Sequence, residues 1–197
     1  IGPEAAMPVM EGKAMLFKEF AGLDAFPICL ATQDVDEIIK TVKFLSPTFG
    51  GVNLEDISAP RCFEIEKRLK AELDIPVFHD DQHGTAIVVV AAMLNALKVV
   101  GKSIDLVRIV MNGAGASGIA VARLLRKAGA ATILMCDSQG CINESRPDLT
   151  PEKMEFARPE SGSLADVIKG ADVFVGLSVA GALTPEMVRS MAPDRIV

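Results

Sequence analysis

The segment Val107 to Gly118 reads V-R-I-V-M-N-G-A-G-A-S-G, and it constrains this chain more than any other stretch. Gly113, Gly115 and Gly118 form G-x-G-x-x-G, directly after an apolar β-branched run and directly before a helical pattern. An acidic residue, Asp137, ends the next strand-like run about 20 residues on. Each position has a physical task. Gly113 makes the tight turn, Gly115 lets the backbone approach a pyrophosphate, and Gly118 lets helix and strand pack closely. Free N–H groups at the helix start, across Ala114, Ala116 and Ser117, face an anion. An ordinary strand–helix turn with incidental glycines would carry the same spacing; the strand, the helix and Asp137 together separate the two. These residues are therefore candidate dinucleotide-binding positions. Asp137 bonding the ribose hydroxyls favours NAD, whereas Ser138 and nearby Arg146 leave room for a 2′-phosphate, so NAD and NADP both stay open.

Helical and strand signals alternate along the whole chain, which predicts an α/β fold. A Rossmann-type dinucleotide-binding domain over 106–197 follows a smaller α/β region over 1–84, with a buried connecting helix and linker over 85–105. The expected elements are helix near 4–21, interrupted near Pro8 and Gly12, a strand over 26–30, helix over 34–45 and strand over 48–54. Helix over 60–73, strand over 76–79 and a helix over 85–99 follow. That last helix is apolar almost all round and so expected to be buried. The second half reads strand 107–111, helix 117–128, strand 132–136, a polar loop with a short helix over 143–162, helix 163–169 and strand 171–177. Thr184 then caps a helix that opens on Pro185. The start at Ile1 without Met and the strand-like end at Val197 suggest a piece of a longer protein.

The formal net charge of -6 argues against a nucleic-acid surface. The longest apolar run, Ala86 to Leu94, is too short to cross a bilayer, and no signal-like segment opens the chain. Four scattered cysteines without a C-x-x-C pair, and only two histidines, do not suit structural zinc. They read as reduced thiols of a cytoplasmic protein.

Two acidic pairs end two apolar strands: Glu55-Asp56 after Leu54, and Asp80-Asp81 after His79. The intervening helix makes the strands parallel, so their carboxyl ends share one rim. Four unpaired carboxylates there would repel, and a hard, oxygen-liganded dication such as Mg²⁺ or Mn²⁺ would relieve the repulsion. Helix capping by Asp80 or Asp81, and a solvated Glu55-Asp56 loop, are the competing readings. His79 and His83 flank the cluster and read as supporting or surface residues. Lys13 is the only charge on the apolar stripe Met10, Lys13, Ala14, Phe17, Phe20, Ala21. Burial would lower its pKa and make it a base; a stem snorkelling to solvent is the alternative.

Taken together, these segments resemble the malic enzyme family. The matching stretches are Gly2 to Lys13 (GPEAAMPVMEGK), Pro47 to Asp56 (PTFGGVNLED), Pro76 to Thr85 (PVFHDDQHGT) and the Asn112–Gly118 loop, in family order and in the style of the shorter bacterial type. The resemblance implies that Lys13 is the catalytic base, that Asp80 is the carboxylate beside it, and that Glu55, Asp56 and Asp81 hold the metal. It implies oxidative decarboxylation of malate to pyruvate with NAD or NADP, malate and pyruvate as small-molecule ligands, and a homodimer or larger homo-oligomer; with the charge and the short apolar run, no nucleic acid or membrane partner is expected.

The family's acid is a tyrosine, and this chain has none. The family's substrate arginine and an asparagine motif would also lie outside the chain, so the 197 residues alone are expected not to complete turnover. Alternative readings are a malolactic enzyme, converting malate to lactate, a non-catalytic dinucleotide-binding module, and a metal-independent dehydrogenase.

Overall fold

The computed structural model describes residues 2–197. The chain forms two compact units, Ile1–Asp81 and Gln82–Val197.

In the first unit, helix α1 (Pro3–Ala21) runs without a break through Pro8, contrary to the expected interruption. Proline removes one donor, but Pro8 sits early enough in the helix that the other bonds carry it through. Gly22 ends α1 in the left-handed conformation, its N–H bonded to Lys18. Residues 26–30 form no strand, because no neighbouring strand offers them a ladder. Helix α2 (Val35–Leu45) is capped by Asp34, which accepts from the Glu37 N–H at 2.9 Å. Strand β1 (Val52–Leu54) is shorter than its apolar run, since residues 46–48 make a 3-10 turn first. Helix α3 (Arg61–Glu72) leads to strand β2 (Val77–His79).

The two strands pair in parallel, Leu54 opposite His79. Ile38 and Ile39 of α2, Ile65 and Leu69 of α3, and Leu54 and Val77 of the strands form the core beneath them. This core fixes the height at which both strands end, so Glu55 and Asp80 emerge side by side.

Helix α4 (Asp80–Val100) starts directly after β2, five residues before the expected helix, and so draws Asp80 and Asp81 into its first turn. It is not buried all round. Ala86, Val90, Met93 and Leu97 pack inward at three- and four-residue steps, while Ile87, Val88, Leu94 and Val99 are exposed. At 21 residues α4 is long and apolar enough to cross a bilayer by length and composition, unlike the run read from sequence. Its periodic buried stripe is that of a helix packed on one side.

The second unit is built on a four-stranded sheet in the order β5-β4-β3-β6. Strand β3 (Arg108–Asn112) lies parallel to β4 (Thr132–Asp137) on one side and to β6 (Val173–Gly176) on the other. Strand β5 (Gly140–Cys141) adds an antiparallel edge. Helix α5 (Ala116–Lys127) connects β3 to β4; α6 (Pro151–Met154), α7 (Leu164–Val167) and α8 (Pro185–Ser190) are short. The switch of direction on either side of β3 is the Rossmann-type crevice, where α/β sheets bind ligands. The fold is thus the α/β arrangement that the alternating pattern predicts.

Candidate functional site

In the first unit Lys13 Nζ contacts two carboxylates. It donates to Asp80 Oδ2 and lies 3.2 Å from Glu55 Oε2. Helix α1 supplies the amine, the end of β1 supplies Glu55, and the junction of β2 with α4 supplies Asp80. Asn53, two residues before Glu55 and so on the same strand face, donates to Glu55 Oε2 at 3.0 Å. The Glu55 side chain is only 11% exposed and faces these two donors.

Burial depresses the Lys13 pKa, but the bonds to Asp80 and Glu55 outweigh it and hold the amine above the ordinary lysine range. The expected burial-lowered, partly neutral lysine is therefore not what this arrangement produces. The alkyl stem packs among apolar groups while the head stays ionised between two anions.

Asp56 follows Glu55 with φ 57°, in the left-handed region. It is exposed, and it lines, with Lys13, Glu55, Phe17, Ile57 and Arg61, a cavity of about 760 Å³. That volume lies in the range of small-molecule sites. Asp80 and Asp81 do not line it. Among the described residues no three His, Cys, Asp or Glu side chains stand close enough to hold a metal ion. Glu55, Asp56 and Asp81, expected as ligands, are brought to neighbouring strand ends but not into one coordination group. The physical reason is the lysine: its ammonium supplies the counter-charge at Glu55 and Asp80. The donor chemistry nevertheless fits a hard dication, since carboxylate oxygens from two register-matched ends already gather round one positive charge.

His79, read from sequence as a flanking residue, is fully buried. Its Nε2 lies 3.1 Å from the Ile57 carbonyl oxygen. His83, four residues on in α4, is half-buried.

In the second unit the glycine loop has the geometry its spacing predicts. Gly113 has φ 120°, and a Cβ there would meet the backbone of Leu177 just beyond β6. A Cβ on Gly118 would collide with the Gly113 carbonyl. Ala114 and Gly115 complete the turn. Gly115 is the N-cap of α5 without a side-chain cap, so the first N–H groups, from Ala116, Ser117 and Gly118, open the helix as an anion site.

Asp137 ends β4 but is already engaged. Oδ1 accepts from Arg146 Nη1 at 2.8 Å and the Gln139 N–H at 3.0 Å; Oδ2 accepts from Arg146 Nη2 at 3.0 Å and Lys153 Nζ at 2.7 Å. Four donors match the roughly four lone-pair sites of a carboxylate. Burial raises the Asp137 pKa, but the Arg146 and Lys153 bonds outweigh it and hold the group well below the usual carboxylate range. Arg146 also bonds Asp148 through Nε and Nη2, and the Gly140 carbonyl through Nη1. Sequence reading found Arg146 by proximity. It missed Lys153 and Asn53; the alternation along β1 would have given Asn53, whereas Lys153 reaches Asp137 only through the folded loop.

Residues 82–195 match the model of the malic enzyme NAD-binding domain, and residues 1–70 match that of the malic enzyme N-terminal domain. The chain belongs to the malic enzyme family. It is 64% identical, over its whole length, to half of the bifunctional malic/malolactic enzyme of Bacillus subtilis. It is 60% identical, again over its whole length, to 42% of the NAD-dependent malic enzyme of Geobacillus stearothermophilus. The crystal structure of the NAD-dependent malic enzyme of Thermotoga maritima superposes with a TM-score of 0.95 at 48% identity, over all of this chain and 54% of that one. The chain thus spans about half the length of these two relatives.

Proposed function

We propose that this chain forms the core of a malic enzyme, which oxidatively decarboxylates malate to pyruvate and CO₂ and reduces NAD or NADP. The observation that carries this reading is Lys13 held between Glu55 and Asp80 at paired strand ends. The family match and the glycine loop support it.

In this reading Lys13 takes the proton from the malate C2 hydroxyl. To do so it first gives up its own proton, and Asp80, hydrogen-bonded to it, is the group placed to receive that proton. Glu55 and Asn53 keep the amine pointed at the cavity. Glu55, Asp56 and Asp81 would hold Mg²⁺ or Mn²⁺, which supplies Lewis-acid polarisation of the substrate oxygens. The Gly113–Gly118 loop and the start of α5 would hold the pyrophosphate of the dinucleotide, which supplies the hydride acceptor. A ribose hydroxyl reaching Asp137 would displace one of its four donors. Lys153, bound by a single contact, is the easiest to displace.

The test is Mn²⁺- and malate-dependent formation of NADH or NADPH, with Lys13→Ala alongside. Dependence on both the dication and Lys13 supports the reading, and reduction indifferent to both overturns it. Because the chain lacks tyrosine, protonation at C3 is the step expected to fail in the 197 residues alone, leaving hydride transfer without full turnover.

The name of the Bacillus subtilis relative favours a second reading, malate to lactate without net cofactor reduction. Product analysis for lactate against pyruvate separates the two. Four unpaired thiols suit a reducing cytoplasm, and a homodimer is the assembly this reading expects, checked by sedimentation.

A further inference from the structure

His79 has an environment that packing alone does not explain. It is fully buried at the end of β2, opposite Leu54 of β1. A carbonyl oxygen only accepts, so the His79 Nε2 carries a proton and donates to Ile57. Among the described residues the other nitrogen, Nδ1, is buried with no hydrogen-bond partner. Burying an unpaired polar atom is unfavourable, and an apolar side chain at this position would avoid that cost. What the histidine provides instead is one directed bond to a particular backbone atom.

The place of that bond gives it a role. Ile57 follows Glu55 and Asp56; Asp80 and Asp81 follow His79. Strand pairing ends at Leu54 and His79, so no ladder bond holds the backbone beyond β1. That backbone turns at once through the left-handed Asp56, a conformation that local preference disfavours. The His79–Ile57 bond lies just past the turn and ties it to the second strand end.

We propose that His79 is a positioning residue for the acidic site, setting the separation of the Glu55-Asp56 pair from the Asp80-Asp81 pair. The inference rests on the reading of these carboxylates as dication ligands. It predicts that the bond, rather than the bulk of the ring, tunes affinity for the ion.

The experiment compares the 197-residue chain with His79→Leu, His79→Gln and His79→Asn. The glutamine amide reaches the Nε2 position and keeps the donor; the asparagine amide reaches only the Nδ1 position. Mn²⁺ affinity is read by electron paramagnetic resonance, dinucleotide affinity by fluorescence, and order of residues 55–58 by amide hydrogen exchange. His79→Leu and His79→Asn are expected to weaken Mn²⁺ binding about 10–100-fold, as loss of an outer supporting bond does. Exchange at 55–58 should rise in both, while dinucleotide affinity stays within about twofold. His79→Gln should remain within about threefold of the unmodified chain. If the leucine variant does not fold, the Gln–Asn pair decides. Equal Mn²⁺ affinity in that pair removes the inference and leaves the metal reading standing. Failure of the unmodified chain to bind Mn²⁺ removes both.

Discussion

Both units place their candidate chemistry beyond the carboxyl ends of parallel strands, yet they build it from different material. In the second unit the backbone does the work: a positive-φ glycine, a close strand–helix approach and a helix start without a side-chain cap. In the first unit the side chains do it. Carboxylates from two strand ends meet an amine from a helix. A backbone site is complete once the fold forms. A side-chain site takes its shape from whichever positive charge it holds, here Lys13. Four substitutions bear on this contrast.

The largest effect is expected for Gly118→Ala. Its methyl group has nowhere to go but into the Gly113 carbonyl, so helix and strand must separate. Overpacking of this kind costs about 3 kcal/mol or more. Denaturant unfolding should show that loss, and NADH fluorescence titration should show at least about a hundredfold weaker binding. A variant of ordinary stability and affinity would mean that the glycine loop is not a preformed site.

Lys13→Ala should leave dinucleotide affinity alone while slowing malate-dependent cofactor reduction, the step the 197 residues are expected to reach, about 10²–10⁴-fold. Single-turnover reduction kinetics beside the same titration would separate the two. A parallel fall in cofactor binding would erase the distinction between the units.

Asp137→Asn probes a side-chain network embedded in the backbone-built unit. Losing charge-assisted bonds should cost about 1.5–3 kcal/mol at neutral pH. The folded carboxyl titrates below its unfolded value. Its contribution is therefore fully present above about pH 4 and fades as the pH falls toward the folded pKa. Unfolding curves for the two proteins should converge on acidification. A gap that stayed constant would deny the ionised carboxylate its role.

The smallest effect is for Asp56→Gly. Relief of the left-handed backbone at φ 57°, less the added freedom of the unfolded chain, should raise thermal stability by about 0.5–1 kcal/mol. Mn²⁺ affinity should fall at the same time. A gain in both would remove Asp56 from the ligand set.

The two kinds of site also differ in how far the amino-acid sequence discloses them. The β3–glycine–α5 unit is legible because most of its constraints are local: Gly118 must be glycine because of the Gly113 carbonyl five residues away, and Gly113 because of its positive φ, although its close approach to Leu177 comes from a distant strand. The acidic pairs are legible as strand ends, but where their side chains point is not, since Lys13 reaches them from a helix more than forty residues away. Residues 80–84 fall between the strand and the helix expected from sequence and instead form the opening of α4, because β2 feeds straight into the helix. The apolar run over 26–30 has strand composition but no strand to pair with. The burial of His79 and the hold of Lys153 on Asp137 arise only when distant segments meet.

The abrupt passage from β2 into α4 has an electrostatic consequence of its own. Asp80 and Asp81 sit where the aligned peptide dipoles of a 21-residue helix end in partial positive charge. Each acid is favoured there by about 0.3–1 kcal/mol, a background that neither dissociates nor takes up protons. If the proposed metal reading holds, an arriving ion would meet anions already partly compensated by the backbone, which would moderate its grip and ease its departure.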